Sequence, residues 1–217
     1  MRYLVIAPHA DDEVYGMGGT ILKLIACGHH VRVVIVCVGD VRFEHAGHVA
    51  AGVRVREAMA VAAFLGVELR FLSFSQESFL DTVPIRSIVH EIETQHDEFG
   101  ADGWYVTGPS CHQDHRVVFE AAMTAARISR STAPGTVLLY ELPMYQMNPE
   151  IWRFRPHLWE NVHGYIDRKI EACLLYQSQV RAAGPLAPSR LREWAMMCGS
   201  ECGVAAAERF EIVRIVR

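Results

Sequence analysis

The chain has 217 residues, 51% of them apolar, enough to bury a substantial core as one large domain or two small ones. A formal net charge of −4 and a pI near 6.2 argue against a nucleic-acid-binding surface. No apolar run approaches the roughly 18 residues of a membrane span, and the first strand pattern starts almost at Met1, leaving no room for a signal peptide. A cytoplasmic protein is the expectation.

Tyr3 to Ala7 form a short continuous apolar run, which suits a strand covered on both faces. It stops at Pro8-His9-Ala10-Asp11-Asp12-Glu13, and Gly16-Met17-Gly18-Gly19-Thr20 then leads into an apolar helical stretch at Ile21 to Ile25. His9, Asp11 and Asp12 therefore belong at the carboxyl end of a first parallel strand, where open α/β sheets bind ligands. An imidazole and a carboxylate are ordinary ligands for a divalent ion such as zinc, and a neighbouring carboxylate can reach the water beside it. The same acidic run also suits a helix start, where carboxylates satisfy free backbone amides.

Val31 to Val38 is rich in β-branched residues and reads as a second strand, making a βαβ unit with the first. From Asp40 to Gly52 periodicity is lost, and Glu44, His45 and His48 fall in what reads as a mobile loop, a poor place for a rigid ligand. Val53 to Gly66 has helical spacing and a glycine stop, with Arg54 and Glu57 placed for a surface ion pair. Leu69–Phe74 suits a third strand, 84–98 a helix opening at a proline, and Gly103–Thr107 a fourth strand.

A second cluster, His112-Gln113-Asp114-His115, follows that strand and precedes the helical run Arg116 to Arg127. His112 and His115, three apart, can share one face of a helical turn. Asp114 can turn to an imidazole or to backbone amides. Two such clusters at equivalent strand ends point to a metal site more strongly than either does alone. Val137 to Glu141 reads as a fifth strand. The aromatic and basic stretch 144–165 reads as packing before a lid or a subunit contact. Helices are expected over 166–179 and 189–198 with a turn at Ala183-Gly184-Pro185, and Phe210 to Val213 as a closing strand. The six cysteines lack framework spacing, so most should be buried thiols, and Cys198 and Cys202 have no partner pair for a zinc site.

These motifs resemble those of the LmbE-like (PIG-L) family of metal-dependent N-deacetylases. Pro-His-Ala-Asp-Asp-Glu at 8–13 is similar to the family's Pro/Ala-His-Pro-Asp-Asp-Glu signature, continued by Gly18-Gly19-Thr20. Arg54-x-x-Glu57 with Leu65-Gly66 resembles its second helix, His112-Gln-Asp-His115 its His-x-Asp-His motif, and the segment from Gly199 to Phe210 its closing motif. Ala10 replaces the usual proline, and Cys111 stands where many members carry a polar residue after an aspartate. The resemblance implies a single-domain Rossmann-like three-layer α/β/α sandwich over residues 1–217, with a mostly parallel sheet. It further implies that His9, Asp12 and His115 hold Zn2+ or another divalent metal, that Asp11 is the general base and that His112 faces the substrate. Asp114 would orient His112 and favour its charged form. Arg54 gains a substrate-contacting reading, toward sugar hydroxyls or a phosphate.

The implied reaction is zinc-dependent hydrolysis of the acetamide of an N-acetylated amino sugar or glycoconjugate. The implied partner is a small N-acetylated glycoside or related amide, with no nucleic acid and no membrane span; apolar residues on the C-terminal helices leave room for a homo-oligomer. Three rivals stand beside this. A dinucleotide-binding Rossmann protein lacks its fingerprint, since Ile21 stands where the third glycine is required. A silent metal-binding protein has no need of Asp11 and His112. An amidase acting on a non-sugar N-acyl substrate would keep every motif.

Overall fold

The computed structural model describes residues 1–43, 46–74, 76–77, 79–143, 154–180 and 186–216. Nine strands and six α-helices are described: β1 (Arg2–His9), α1 (Asp12–Ala26), β2 (His30–Cys37), β3 (Val41–Phe43), β4 (Gly47–Val49), α2 (Ala51–Leu65), β5 (Glu68–Phe71), α3 (Ile85–Phe99), β6 (Gly103–Thr107), α4 (Gln113–Ala125), β7 (Thr136–Tyr140), β8 (Leu158–Asn161), α5 (Ile166–Leu175), α6 (Pro188–Cys202) and β9 (Ala207–Ile215). A 3-10 turn at His163–Tyr165 leads into α5. Seven strands form one sheet in the order β5-β2-β1-β6-β7-β9-β8. The first five of these run parallel, and β9 and β8 each pair antiparallel with their neighbours.

The sequence dictates this layering. Along β1, Val5 and Ala7 face one core and Leu4 and Ile6 the other; along β2, Val33 and Ile35 alternate likewise with Val34 and Val36. A strand apolar on both faces needs a helix layer on each. α1, α2 and α5 cover one face through Ile21, Ala58 and Ile170, and α3 and α4 cover the other through Ile88, Ile92, Val118 and Ala122. The expected α/β/α sandwich with a mostly parallel sheet is what forms. From β1 the chain grows outward through β2 to β5, then returns to β6 and β7 on the other side of β1. The order reverses between β1 and β6, so the crevice at their carboxyl ends is the sheet's switch point.

Several elements differ from expectation. β5 ends at Phe71, short of Phe74, and α4 begins at Gln113 with His112 as its N-cap. The loop after Asp40 contains the hairpin β3–β4, and Asp40 accepts a hydrogen bond from Ala51 N at 2.8 Å, starting α2. His48 pairs with Asp40 on the surface, while His45 lies outside the described residues. Residues 144–153 and the turn at 183–185 also lie outside them; from 154–165 come β8 and the 3-10 turn, and Trp159 donates to Glu201 at 2.9 Å. All six cysteines are free, and only Cys37, Cys173 and Cys198 are buried. Among the described residues no helix is long and apolar enough to cross a membrane.

α1 is bent at Met17, whose φ of −144° leaves the helix. A buried ion pair fills the break: Lys169 Nζ donates to Tyr15 O at 2.9 Å and to Glu208 at 2.6 Å. Glu208 accepts from Gly19 N at 3.0 Å and Thr20 N at 2.7 Å, serving as a cap for the restarted helix. A Cβ on Gly19 would stand 2.8 Å from Val162 and 3.2 Å from Glu208, so the approach requires glycine.

Candidate active site and metal centre

His9 ends β1 and His112 precedes α4, so the two clusters meet across the switch point. The acidic run does not cap helix amides in the ordinary way. The Asp11 side chain makes no cap bond; Asp12 turns back to accept His9 N at 2.9 Å, and Glu13 accepts Asp11 N at 3.1 Å. Asp11 has φ 127°, a conformation that L side chains rarely adopt and the kind of local strain found at functional sites. This turn points Asp11 and Asp12 to different surroundings.

Asp12 Oδ2 lies 3.3 Å from His9 Nδ1 and 3.5 Å from His115 Nε2. Donors of a tetrahedral zinc site, at bonds of about 2.0–2.2 Å, stand roughly 3.3–3.5 Å apart. Two imidazoles and a carboxylate at these separations fit a divalent metal. Ring nitrogens of His9, His112 and His115 also fall within 4.8 Å of one another. Ser110 Oγ bonds His115 Nδ1 at 2.9 Å, which directs the opposite nitrogen, Nε2, to Asp12. Cys37 also lies near His9 and Asp114, but its thiol donates to Glu77 O, and burial pushes its pKa up to about 11.

The Asp114 carboxylate bonds His9 directly, while the sequence had pointed it toward His112. Its Oδ2 accepts from His9 Nε2 at 2.9 Å and its Oδ1 from Leu80 N at 2.9 Å, whereas His112 Nδ1 is 4.0 Å away. It orients His9, on the far side of that ring from Asp12. The reason is local: His112 caps α4, and its Nδ1 accepts the Asp114 backbone N–H at 3.2 Å. That bond puts the proton of neutral His112 on Nε2, where it can donate.

Burial and charge sort these groups. Burial opposes charge on His9, yet hydrogen bonds from Asp114 and Asp12 outweigh it and raise its pKa to about 9. Asp12 resists burial through His115 and His9 and falls to about 2. Burial depresses His115 to about 3 and lowers His112, in the latter aided by His9. Asp11 goes the other way: burial and then the Asp12 charge raise it well above the carboxylate range, against the pull of Arg54 and His9. Burial likewise raises Glu13 to about 7, although Tyr176 donates to it at 2.5 Å.

His9, Asp11, Asp12, Arg54, His112 and Asp114 all line one cavity of about 110 Å³. His115 is fully buried, its ring stacked 4.8 Å from that of His112. Val41, Phe43, Phe79, Leu142 and Leu186 supply apolar wall. Arg54 is only 6% exposed and does not pair with Glu57. Its Nη1 donates to Gly39 O at 2.9 Å, and its buried Nε has no partner among the described residues. Glu57 instead holds Ser178 through two bonds, at 2.8 and 2.6 Å. Sequence reasoning missed Ser110, Glu13 with Tyr176, and Gln179, which also lines the cavity. Only Ser110 carried a signal, a hydroxyl two positions ahead of the second histidine cluster.

A mostly parallel α/β/α sheet with imidazoles and carboxylates gathered at its switch point defines the class: a Rossmann-like α/β fold with a metal-type donor set. The family described as PIG-L, GlcNAc-PI de-N-acetylase, matches residues 4–126, more than half the sequence, and the chain belongs to that family. Its fold is similar to that of N,N'-diacetylchitobiose deacetylase from Pyrococcus horikoshii, with TM-score 0.78 and 23% identity over 98% of this chain and 83% of that one. It is also similar to the A40926 pseudoaglycone deacetylase, with TM-score 0.73 and 20% identity over 100% and 98% of the two chains. A 4-carboxy-2-hydroxymuconate hydratase from Pseudomonas putida shares the fold too, with TM-score 0.72 and 19% identity over 100% and 98%. The fold thus hosts more than one chemistry, and the site has to decide.

Proposed function

We propose that this chain is a zinc-dependent N-deacetylase, a single LmbE-like domain over residues 1–217, acting on the acetamide of an N-acetylated amino sugar or glycoconjugate. The observation that carries the reading is the meeting of His9, Asp12 and His115 at 3.3–3.5 Å beside Asp11 and His112 on one cavity wall. Membership of a de-N-acetylase family supports it.

In this reading His9, Asp12 and His115 hold the ion, with Asp114 and Ser110 fixing the two imidazoles from behind. When bound, a divalent ion supplies Lewis acidity, polarising the carbonyl and easing deprotonation of water. Asp11 accepts the proton of the attacking water, a role suited to a carboxylate whose pKa is raised. His112 donates from Nε2 to the oxyanion of the tetrahedral species, and its neutral form suffices, which revises the expectation of an imidazolium. Asp11, now protonated and on the same wall, can return the proton to the leaving amine. Arg54, held by Gly39 O, presents its remaining N–H groups to a sugar hydroxyl. A non-sugar N-acyl amide is the second reading, favoured by the apolar wall of Phe43, Phe79 and Leu186.

The test is amine release from a panel of N-acetylated sugars, sugar conjugates and simple N-acyl amines, with and without chelator. Chelator-sensitive release from sugars is expected. Release only from the non-sugar amines moves the assignment to the second reading, and chelator-insensitive release removes the metal from it. Asp11→Asn should retain the ion while kcat falls by roughly 10²–10⁴; near-normal turnover would take Asp11 out of the base role.

A further inference from the structure

We propose that the turn Tyr176–Val180 after α5 is a substrate-recognition element and that Gln179 is its specificity-determining residue, accepting a hydrogen bond from a hydroxyl of the substrate's sugar ring. The inference rests on the deacetylase reading and goes beyond it by naming how a sugar is told from another amine.

The turn closes on itself and is fastened to two elements that also carry the site. Tyr176 O accepts the backbone N–H of Gln179 at 2.9 Å and of Val180 at 3.0 Å, closing the turn on itself. Tyr176 Oη donates to Glu13, the residue that also accepts Asp11 N, so the turn is tied to the strained loop of the proposed base. Glu57 accepts both the backbone N–H and the hydroxyl of Ser178. Glu57 lies one helical turn beyond Arg54, so α2 contributes Arg54 to the cavity directly and fixes the turn that carries Gln179.

Gln179 is 5% exposed and lines the same cavity as Asp11, Arg54 and His112. Its Nε2 donates to Ser178 Oγ at 3.2 Å, its one side-chain hydrogen bond among the described residues. Ser178 gives its own proton to Glu57, so its oxygen can only accept, and the orientation of the Gln179 amide follows: nitrogen toward Ser178, Oε1 away from it. Buried amides ordinarily have partners for both ends. Gln179 shares the cavity lining with Arg54, whose Nε also lacks a partner among the described residues. An acceptor and a donor lining one cavity suit a polyhydroxylated ring, whose hydroxyls both give and take protons.

The experiment uses the metal-loaded full chain and four probes: N-acetylglucosamine and its 3-, 4- and 6-deoxy analogues. The wild-type enzyme should discriminate against one deoxy sugar. Gln179→Ala should lose roughly tenfold in kcat/KM on the hydroxylated sugar, in KM and not kcat, with no further loss on that one deoxy analogue. Ser178→Ala, which frees the amide and removes the hydroxyl bond to Glu57 while leaving the backbone one, should show a smaller loss confined to the same hydroxyl, a pattern general damage to the fold cannot produce. Equal penalties on all four sugars, or none, overturn the proposal. If the wild type hydrolyses no N-acetylated sugar, the deacetylase reading itself fails and this inference falls with it; the wild-type assay alone separates the two failures.

Discussion

Replacing Lys169 by Met removes the cation from the break in α1 while keeping the aliphatic stem that packs on Gly18. Two groups are stranded: the Tyr15 carbonyl loses its donor, and Glu208 stays buried with only its two backbone N–H bonds. Both partners of the pair are about 4% exposed, so solvent screens little, and removing one partner of a buried pair costs about 3–5 kcal/mol. The variant has one escape, which is to take a proton onto the stranded carboxylate. For a carboxyl of ordinary pKa near 4.3 that costs about 3.7 kcal/mol at pH 7, which caps this part of the penalty. The sign follows. A carboxyl that is neutral folded and ionised unfolded destabilises only above its unfolded pKa, so this part of the penalty should shrink by about 1.4 kcal/mol per pH unit on going down and fall to roughly 1 kcal/mol at pH 5, while the carbonyl's part stays. Urea unfolding of wild type and Lys169→Met at pH 5 and pH 7, followed by tryptophan fluorescence, measures it. Adding Glu208→Gln should recover part of the loss at pH 7. A penalty below about 1 kcal/mol at pH 7, or one independent of pH, refutes the pairing argument.

Asp12→Ala and His115→Ala should each purify without stoichiometric metal under conditions where the wild type retains it; metal content near one per chain in both would sink the ligand assignment. Asp114→Asn keeps an acceptor for Leu80 N but no longer offers His9 a carboxylate. It should weaken metal affinity about 10–100-fold in a chelator competition. Unchanged affinity would return Asp114 to the His112 role that the sequence first suggested.

The two clusters were legible because each packs several chemistry-bearing residues into a few positions at a strand's end, and parallel strands bring such ends together. What those residues touch was not legible. Asp114 and His9 are 105 positions apart, and their contact depends on β1 lying beside β6 in the sheet. Glu57 gave the same lesson: helical spacing offered Arg54 as its partner, but the turn after α5 outcompeted a surface pair with a backbone amide and a hydroxyl. β8 escaped notice because Leu158–Asn161 is a short edge strand, half-buried up to an exposed Asn161, with no run of core residues to mark it. The bend at Met17 was hidden because Lys169 and Glu208, which make it tolerable, lie about 150 and about 190 residues beyond it.

The neighbouring pair Asp11 and Asp12 shows how one loop can make two acids of opposite character. In a regular helix two adjacent carboxylates of the first turn would share much of one field. The positive φ at Asp11 reverses the chain between them. Asp12 is delivered to two imidazoles and a backbone amide and is held ionised. Asp11 is left with burial and its neighbour's charge, which favour a proton. A carboxylate that holds a metal ion must be ionised, whereas a base must be able to take up a proton and give it back, so the two proposed roles demand this divergence. Such a φ costs on the order of 1–3 kcal/mol. Glu13 stabilises the turn by accepting Asp11 N, and Tyr176 in turn holds Glu13. The strain is thus supported from α5, the helix whose following turn carries Gln179, and the geometry of the proposed base and the proposed sugar contact depend on the same few bonds.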